Sequence, residues 1–358
     1  MNRILVYGMT DNLGGIESYV MNEMALLDKS KAAFDFIVDF PEMSYSREAT
    51  ALGSKIHFIP AKGKKLFAHL KAFYKVLKAH PEYKKVYFNI LDAGAAFSML
   101  IPWIMGRKII VHSHSSNTAK MKLHRLCKPF VNLFASKRLA CSKVAAEYMF
   151  GAKQAVIIPN AIDCEKYLFN ENKRTKIREQ LNIEENQFVI CCVGRLSPEK
   201  NLFRLLEIFG EILKKNTNSV LLSVGDGPQK EELKDFANRL GVADKVRFLG
   251  RRNDVCDILQ ACDCFVMTSF FEGLSIVAIE AQASGLPCIF SGGMSVETKL
   301  NPNVCFVSLE ESSEEWAKAI LGFQNEPRVK DVSALQKAGY DRNAPNDAQK
   351  ELLEYLYS

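Results

Sequence analysis

Two glutamates eight positions apart stand in the segment Ser269-Phe-Phe-Glu272-Gly-Leu-Ser-Ile-Val-Ala-Ile-Glu280-Ala-Gln-Ala-Ser-Gly285. Glu280 lies inside an apolar helical run, Ile276–Ala281. A carboxylate buried there is costly unless it finds donors. An ionised carboxylate only accepts hydrogen bonds, so the vicinal hydroxyls of a sugar suit it. The competing reading puts Glu280 on the exposed face of the helix. Glu272 precedes Gly273, Leu274 and Ser275, which read as the helix start, where free N–H groups point outward. Taken alone, it is equally a charge placed at a helix N-terminus.

Cations and glycines gather in other loops. The apolar run Phe188–Val193 ends in Gly194-Arg195-Leu-Ser-Pro-Glu-Lys200-Asn201. A guanidinium grips phosphate oxygens in pairs, and an ammonium acts on them as a point charge. The first apolar run leads into Gly8-Met-Thr-Asp-Asn-Leu-Gly14-Gly15. Such glycines allow backbone N–H groups to approach a phosphate at a helix start. The spacing is neither G-x-G-x-x-G nor a P-loop. Val224-Gly225-Asp-Gly227-Pro228 and Leu249-Gly250-Arg251 follow two further apolar runs. Each loop by itself is an ordinary turn or a solvated loop; four of them at strand ends point to an anionic ligand. His112 and His114 close Ile110-Val-His112-Ser-His114, and strand alternation places both on one side. They could pair on a metal, yet no third ligand set accompanies them. The chain also has no Asp-x-Asp pair, which argues against a metal-held diphosphate.

Short apolar runs alternating with amphipathic stretches must position these groups. Strands are expected over 4–7, 34–39, 55–59, 85–89, 108–112, 138–141 and 155–158. A second series covers 188–193, 219–224, 246–249, 263–268 and 287–290. Helices are expected over 15–27, 66–79, 121–134, 143–150, 202–215, 229–240, 274–284, 314–324 and 346–357. Strand–helix alternation implies parallel sheets with crossover helices. A turn-rich pause at Ile158-Pro-Asn-Ala-Ile-Asp163, polar through Asn172, divides the series. The expectation is an α/β protein of two doubly wound domains, 1–165 and 166–358, with the last helix packing back on the first. Ligands bind such sheets at the C-terminal strand ends, so the cleft between facing domains is the expected site.

Together these motifs resemble the family 4 glycosyltransferases of the GT-B fold, two Rossmann-like domains. The resemblance rests on Gly14-Gly15, Pro159-Asn160, Gly194-Arg195 with Lys200, Gly225-Asp-Gly-Pro228 and the Glu272/Glu280 pair, and spans nearly the whole chain. It implies a retaining, metal-independent hexosyl transfer from a nucleotide sugar, with UDP the expected nucleotide. It assigns His114 and Glu272 to the reacting centre. Gly15, Arg195, Lys200, Gly273, Leu274 and Ser275 go to the donor diphosphate, Glu280 to the ribose, and Gly225 and Arg251 to the base region. The junction departs from the usual Pro-Asn-Gly by carrying Ala161. Residues 286–317 further resemble the capsule and exopolysaccharide subgroup, but Gly292-Gly-Met-Ser295 replaces its usual Asp-Thr-Ile-Pro-like loop. That loop bears on the choice of donor sugar.

Charge is unevenly divided. Residues 1–168 hold 24 Lys and Arg against 13 Asp and Glu, while the remainder holds 23 against 28. A basic half suits an anionic partner. Its cations concentrate in Lys62–Lys85 and Lys120–Arg138, both with interleaved aromatic residues. This reads as a membrane-surface pattern, with solvated helix faces as the plainer reading. No nucleic-acid recognition motif accompanies it. The ten cysteines lack paired C-x-x-C spacing and read as reduced core residues. Ala93–Gly106, the longest apolar stretch, is too short to span a bilayer and Pro102 interrupts it. No signal-peptide layout opens the chain. The expected location is the cytoplasm, peripheral to the inner face of the cell membrane. The expected partners are a nucleotide-sugar donor and a glycan or lipid-linked saccharide acceptor in surface polysaccharide synthesis, with no cofactor, metal or nucleic acid. Alternatives are a nucleotide-sugar epimerase on the same fold and a catalytically silent subunit that binds nucleotide or membrane. A dinucleotide dehydrogenase is disfavoured because neither domain has its glycine fingerprint.

Overall fold

Parallel strands buried on both faces need apolar side chains all along their length, and most of the strands in this chain are such runs. The computed structural model describes residues 1–358 apart from Leu13, Lys64, Ala119 and Gly273. It divides into two units, one of Met1–Ile162 with Ala344–Ser358, the other of Asp163–Asn343.

The first unit carries β1 (Asn2–Tyr7), β2 (Ala32–Val38), β3 (Ile56–Phe58), β4 (Lys85–Ile90), β5 (Lys108–Ser113), β6 (Lys137–Ala140) and β7 (Val156–Ile157). They form one parallel sheet in the order β3-β2-β1-β4-β5-β6-β7. One face is packed by Tyr19, Val20, Leu352 and Leu356. The opposite face is packed by Phe73, Leu77, Met99, Val131 and Phe134. The C-terminal helix Asp347–Tyr357 opens on a capping box of Asn346 and Gln349. Lys85 at the start of β4 donates to the Tyr355 carbonyl at 2.6 Å, and Asn2 in β1 to that of Tyr357 at 2.7 Å.

The second unit carries β8 (Phe188–Val193), β9 (Ser219–Val224), β10 (Val246–Gly250), β11 (Cys264–Met267), β12 (Cys288–Ser291) and β13 (Val304–Val307). They pair in parallel in the order β10-β9-β8-β11-β12-β13. Ile208, Phe209, Leu221, Val266, Ile289 and Trp316 form the core on one face. The strand order reverses between β1 and β4 in the first sheet and between β8 and β11 in the second. Loops leaving such neighbours diverge and open a crevice at the C-terminal edge.

Several elements differ from the sequence expectation, among them helices Ser46–Ala51, Cys164–Tyr167, Val255–Ala261 and Ser333–Lys337, which were not expected. The strand β13 was not expected; it lies at the sheet edge, where three of its four residues are only partly buried. Helix Ala96–Ile104 forms with Pro102 inside it; only its last residues follow the proline, so one backbone hydrogen bond is forgone. Glu171–Gln180, which begins where the polar pause through Asn172 ends, is a helix that was not expected. It is anchored by charge: Arg174 and Arg178 grip Asp263 at 2.7 and 2.8 Å, and an apolar period cannot reveal such a helix. Nine of the ten cysteines are buried, and all are free thiols.

Candidate functional site

The loops that leave β8 and β11 meet at the switch point of the second sheet. The β8 loop carries Gly194, Arg195 and Lys200; the β11 loop carries Glu272. Backbone bonds lace the two together. The Phe270 N–H donates to the Glu199 carbonyl at 2.9 Å. The Thr268 hydroxyl donates to the carbonyl of Asn201 at 3.0 Å and lies 3.2 Å from that of Lys200. On that framework the Lys200 ammonium donates to a Glu272 carboxylate oxygen. Both side chains are about four-fifths buried, which strengthens the pair relative to one in bulk water. Arg195 is exposed beside them.

Glycine permits the close packing of these loops. An added Cβ on Gly225, at φ +137°, would lie 1.9 Å from the Gly194 carbonyl oxygen. One on Gly227 would lie 2.3 Å from that of Leu196. The Leu196 N–H donates to the Asp226 carbonyl at 3.1 Å. Gly225 therefore braces the Arg195 loop directly. Arg251, past the end of β10, is exposed and helps lower the Asp226 pKa, behind the Gly227 amide and Lys230.

A third loop, after β12, closes on the Glu272 segment. Glu272 and Met294 form a parallel bridge, with Glu272 N–H to Gly293 O at 3.1 Å and Ser295 N–H to Glu272 O at 3.2 Å. A Cβ on Gly293 would come within 2.2 Å of the Phe270 carbonyl oxygen. The Gly292-Gly-Met-Ser295 departure noted in the sequence thus sets the backbone that holds Glu272.

The following helix covers Ile276–Ala283 with Ser275 as its N-cap. Leu274 and Ser275 therefore precede the helix, which corrects the expected start at Leu274; Ser275 has extended backbone (φ −82°, ψ 119°). Gly273 lies outside the described residues. Glu280 stands inside the helix, half-buried. Burial pushes its carboxyl pKa upward, opposed by the Tyr167 hydroxyl, which donates to Oε1 at 2.6 Å. Tyr167 was missed from sequence: it sits 113 residues earlier, in the stretch read as a pause.

In the first unit, His112 lies near the end of β5 and His114 just past it, with ring centroids 4.1 Å apart. His114 Nε2 is 2.9 Å from Asn89 Oδ1 on the neighbouring β4. Burial pushes the His114 pKa down to about 3, opposed by Asn160, so the imidazole is neutral at ordinary pH. Behind it runs a buried chain: His112 Nδ1 to the Tyr87 hydroxyl at 3.0 Å, and Tyr87 to the Tyr19 hydroxyl at 3.1 Å. Glu23, within reach of Tyr19, has its carboxyl raised to about 7 by burial. Asn89, Tyr19, Tyr87 and Glu23 carried no sequence signal, since each lies in an apolar run that reads as core. Gly15 begins helix Gly15–Leu26. In its first turn, Glu17 accepts from the amide, at 3.1 Å, and the hydroxyl, at 2.7 Å, of Thr10 in the loop before it. Among the described residues, no group of three or more His, Cys, Asp or Glu is placed to hold a metal ion.

Residues 173–342, within the second unit, match the family described as Glycosyl transferases group 1. A Bacillus subtilis protein named as glycosyltransferase EpsF is 28% identical over 350 residues, covering 92% of this chain and 90% of the relative. An Escherichia coli UDP-Gal:alpha-D-GlcNAc-diphosphoundecaprenol alpha-1,3-galactosyltransferase is 32% identical over 212 residues, covering 56% of this chain and 53% of the relative. Among solved structures, Anabaena HepE in complex with UDP-glucose superposes with a TM-score of 0.82 at 22% identity, over 99% of both chains. The two sheets thus share the GT-B fold.

Proposed function

We propose that the chain is a group 1 glycosyltransferase that moves a hexose from a UDP-sugar to a lipid-linked saccharide in surface polysaccharide synthesis, a reading supported by the family match over residues 173–342 and by the relatives named as glycosyltransferases. The observation that carries the reading is the Lys200–Glu272 pair at the β8/β11 switch point, flanked by Arg195. A departing nucleoside diphosphate gains negative charge as the glycosidic bond breaks. Preorganised cations at that position lower the barrier. An ammonium has three N–H donors, so Lys200 can hold Glu272 and a phosphate oxygen together. Arg195 adds a planar fork for the same diphosphate. The amides around Leu274 and Ser275 would add to the anion site.

Glu280 takes the ribose hydroxyls in this reading, with Tyr167 holding the carboxylate toward them. Gly225 and Arg251 border the base. Glu272 orients the donor sugar from the side braced by Gly293 and Met294. His114, neutral because it is buried, acts as a hydrogen-bonding group at the sugar rather than as a permanent cation. The second unit is the donor domain and the first the acceptor domain. Transfer retains anomeric configuration and needs no metal ion. The support is the cationic switch point, the family match, the UDP-Gal specificity in the name of one relative and the fold shared with a UDP-glucose complex. The enzyme works on the cytoplasmic side, at an anionic membrane surface reached through Lys62–Lys85 and Lys120–Arg138. None of the described helices is long and apolar enough to cross a membrane.

Purified protein incubated with a panel of nucleotide sugars, with and without membrane lipid extract and EDTA, tests the reading. The expected result is lipid-dependent release of UDP with sugar incorporation. It should resist EDTA and be lost in Lys200→Ala and Glu280→Ala. UDP-sugar binding with no transfer to any extract, or transfer abolished by EDTA, would overturn it.

A further inference from the structure

Helix Met121–Phe134 carries two apolar stripes where a globular protein needs one. Its inward stripe, His124, Cys127, Val131 and Phe134, is buried in the first unit. Its outward stripe, Leu123, Leu126, Phe130 and Leu133, repeats the same spacing, and these side chains are 37%, 69%, 50% and 60% exposed. The neighbouring helix Ala96–Ile104 extends the apolar surface with exposed Phe97, Trp103 and Ile104. The Trp103 ring lies 4.9 Å from that of Phe134, joining the two helices. Single exposed apolar residues are ordinary on a protein surface, but a contiguous ridge marks an interaction surface.

The charge around the ridge says what covers it. Lys122, Arg125 and Lys128 lie on helix Met121–Phe134, and neither helix contains an Asp or Glu. Arg125, Lys128 and Lys153 line an open pocket beside the ridge. Helix Leu66–Ala79 packs against Ala96–Ile104. It adds Lys71, Lys75 and Lys78, again without an acid, and Phe67 exposed by 88%. Aliphatic and aromatic side chains need an apolar host, which a nucleic acid does not offer. An anionic bilayer offers the acyl boundary for Leu, Phe and Trp and negative headgroups for the flanking cations. Tryptophan also favours the headgroup depth.

We propose that helices Ala96–Ile104 and Met121–Phe134 form a membrane-inserting ridge that seats the first unit in the headgroup layer of an anionic bilayer, with helix Leu66–Ala79 contributing charge beside it. This rests on the reading of a membrane-borne acceptor and goes further. Attachment comes from apolar side chains entering the lipid, with basic residues selecting the anionic surface.

The chain has two tryptophans; Trp316 is fully buried and Trp103 is 44% exposed, so a change in intrinsic fluorescence on adding lipid reports Trp103. Full-length protein is mixed with phosphatidylcholine vesicles, with or without phosphatidylglycerol, in the absence of nucleotide sugar and acceptor. Co-sedimentation and fluorescence are read together. The expected result is binding to the anionic vesicles only, with a blue shift and quenching by brominated acyl chains. In Leu126→Asp/Phe130→Asp, binding weakens by roughly tenfold or more, while thermal unfolding and UDP-sugar binding stay unchanged. If that variant misfolds, Leu126→Ser/Phe130→Ser and the quenching in unmodified protein carry the test. Undiminished binding by the variants, binding without blue shift or quenching, equal binding to neutral vesicles, or a soluble dimer dissolved by the same substitutions would each overturn the proposal. Because no sugar is transferred in this assay, its outcome is separate from that of the activity test. A protein that transfers sugar but leaves vesicles untouched would sink the ridge alone.

Discussion

The Lys200 ammonium rests on the Glu272 carboxylate, 72 residues away in sequence, because β8 and β11 are neighbours at the point where the sheet order reverses. A mobile surface pair at that distance would contribute little. This pair is held by backbone bonds from both loops and by the bridge from Glu272 to Met294.

Removing either partner therefore affects the other. Lys200→Ala should lower kcat by about 100- to 1000-fold, the cost of losing one preorganised charge donor. Glu272→Ala should leave Lys200 without its carboxylate. The double variant should lose less than the two single losses multiplied, with a coupling of about 1–3 kcal/mol. Steady-state kinetics on the four proteins checks this; simple multiplicativity would mean that the two groups act independently.

Glu280 and Tyr167 should separate binding from turnover. Glu280→Gln is expected to weaken UDP-sugar binding about 10- to 100-fold, the range for hydrogen bonds to a charged group. Tyr167→Phe removes the donor that holds the Glu280 pKa down. Burial then dominates, Glu280 protonates at higher pH, and the acid limb of donor binding moves upward. Calorimetric titrations across pH 4–8 would show it; an unmoved limb would mean that Tyr167 does not tune this carboxylate.

His114 should titrate far below an ordinary histidine. Its folded pKa of about 3 lies under the ordinary histidine value of 6.5. The unfolded chain thus binds the proton first on acidification, and this histidine's contribution to stability falls as pH drops from about 6.5 toward 3. Asn89→Asp would set a carboxylate where Nε2 now meets an amide oxygen at 2.9 Å, raising the His114 pKa. Histidine NMR titration reads both proteins. A His114 resonance titrating near pH 6.5 in the unmodified protein would contradict the burial argument.

Glu23 should act in the opposite sense. Its folded pKa of about 7 stands above the ordinary glutamate value of 4.5. Between those limits the native state keeps a proton the unfolded chain has lost, so stability falls as pH rises. Glu23→Gln removes that dependence. It should be more stable than the unmodified protein at pH 8, by on the order of 3 kcal/mol at most. The difference should vanish below about pH 4.5. Denaturant unfolding at pH 4.5, 6 and 8 gives the comparison.

Gly225→Ala tests the packing of the donor loops. Its Cβ would lie 1.9 Å from one backbone oxygen, with φ at +137°, and backbone atoms cannot yield as a side-chain tip can. A loss of roughly 1–3 kcal/mol in stability is expected, together with weaker UDP-sugar binding as the Arg195 loop shifts. An alanine variant with unchanged Tm and affinity would show that the loops are not braced through this contact.

The amino-acid sequence by itself determined the two α/β series, since buried parallel strands and amphipathic crossovers leave periods that can be read locally. It also determined which residue types could meet a diphosphate and a diol: Arg195, Lys200, Glu272 and Glu280 all stand in motifs of fixed spacing. Tertiary structure alone decided the partners. Tyr167 on Glu280, Asn89 on His114 and Gly293 against Phe270 join residues from elements far apart in the chain, and local spacing carries no trace of which elements become neighbours. The helix Glu171–Gln180 was hidden for the same reason, being fastened by Asp263 rather than by an apolar stripe. The outward ridge on Met121–Phe134 was visible in sequence only as charge and aromaticity. Which of its two apolar stripes would be buried was settled when the sheet took one of them as its core.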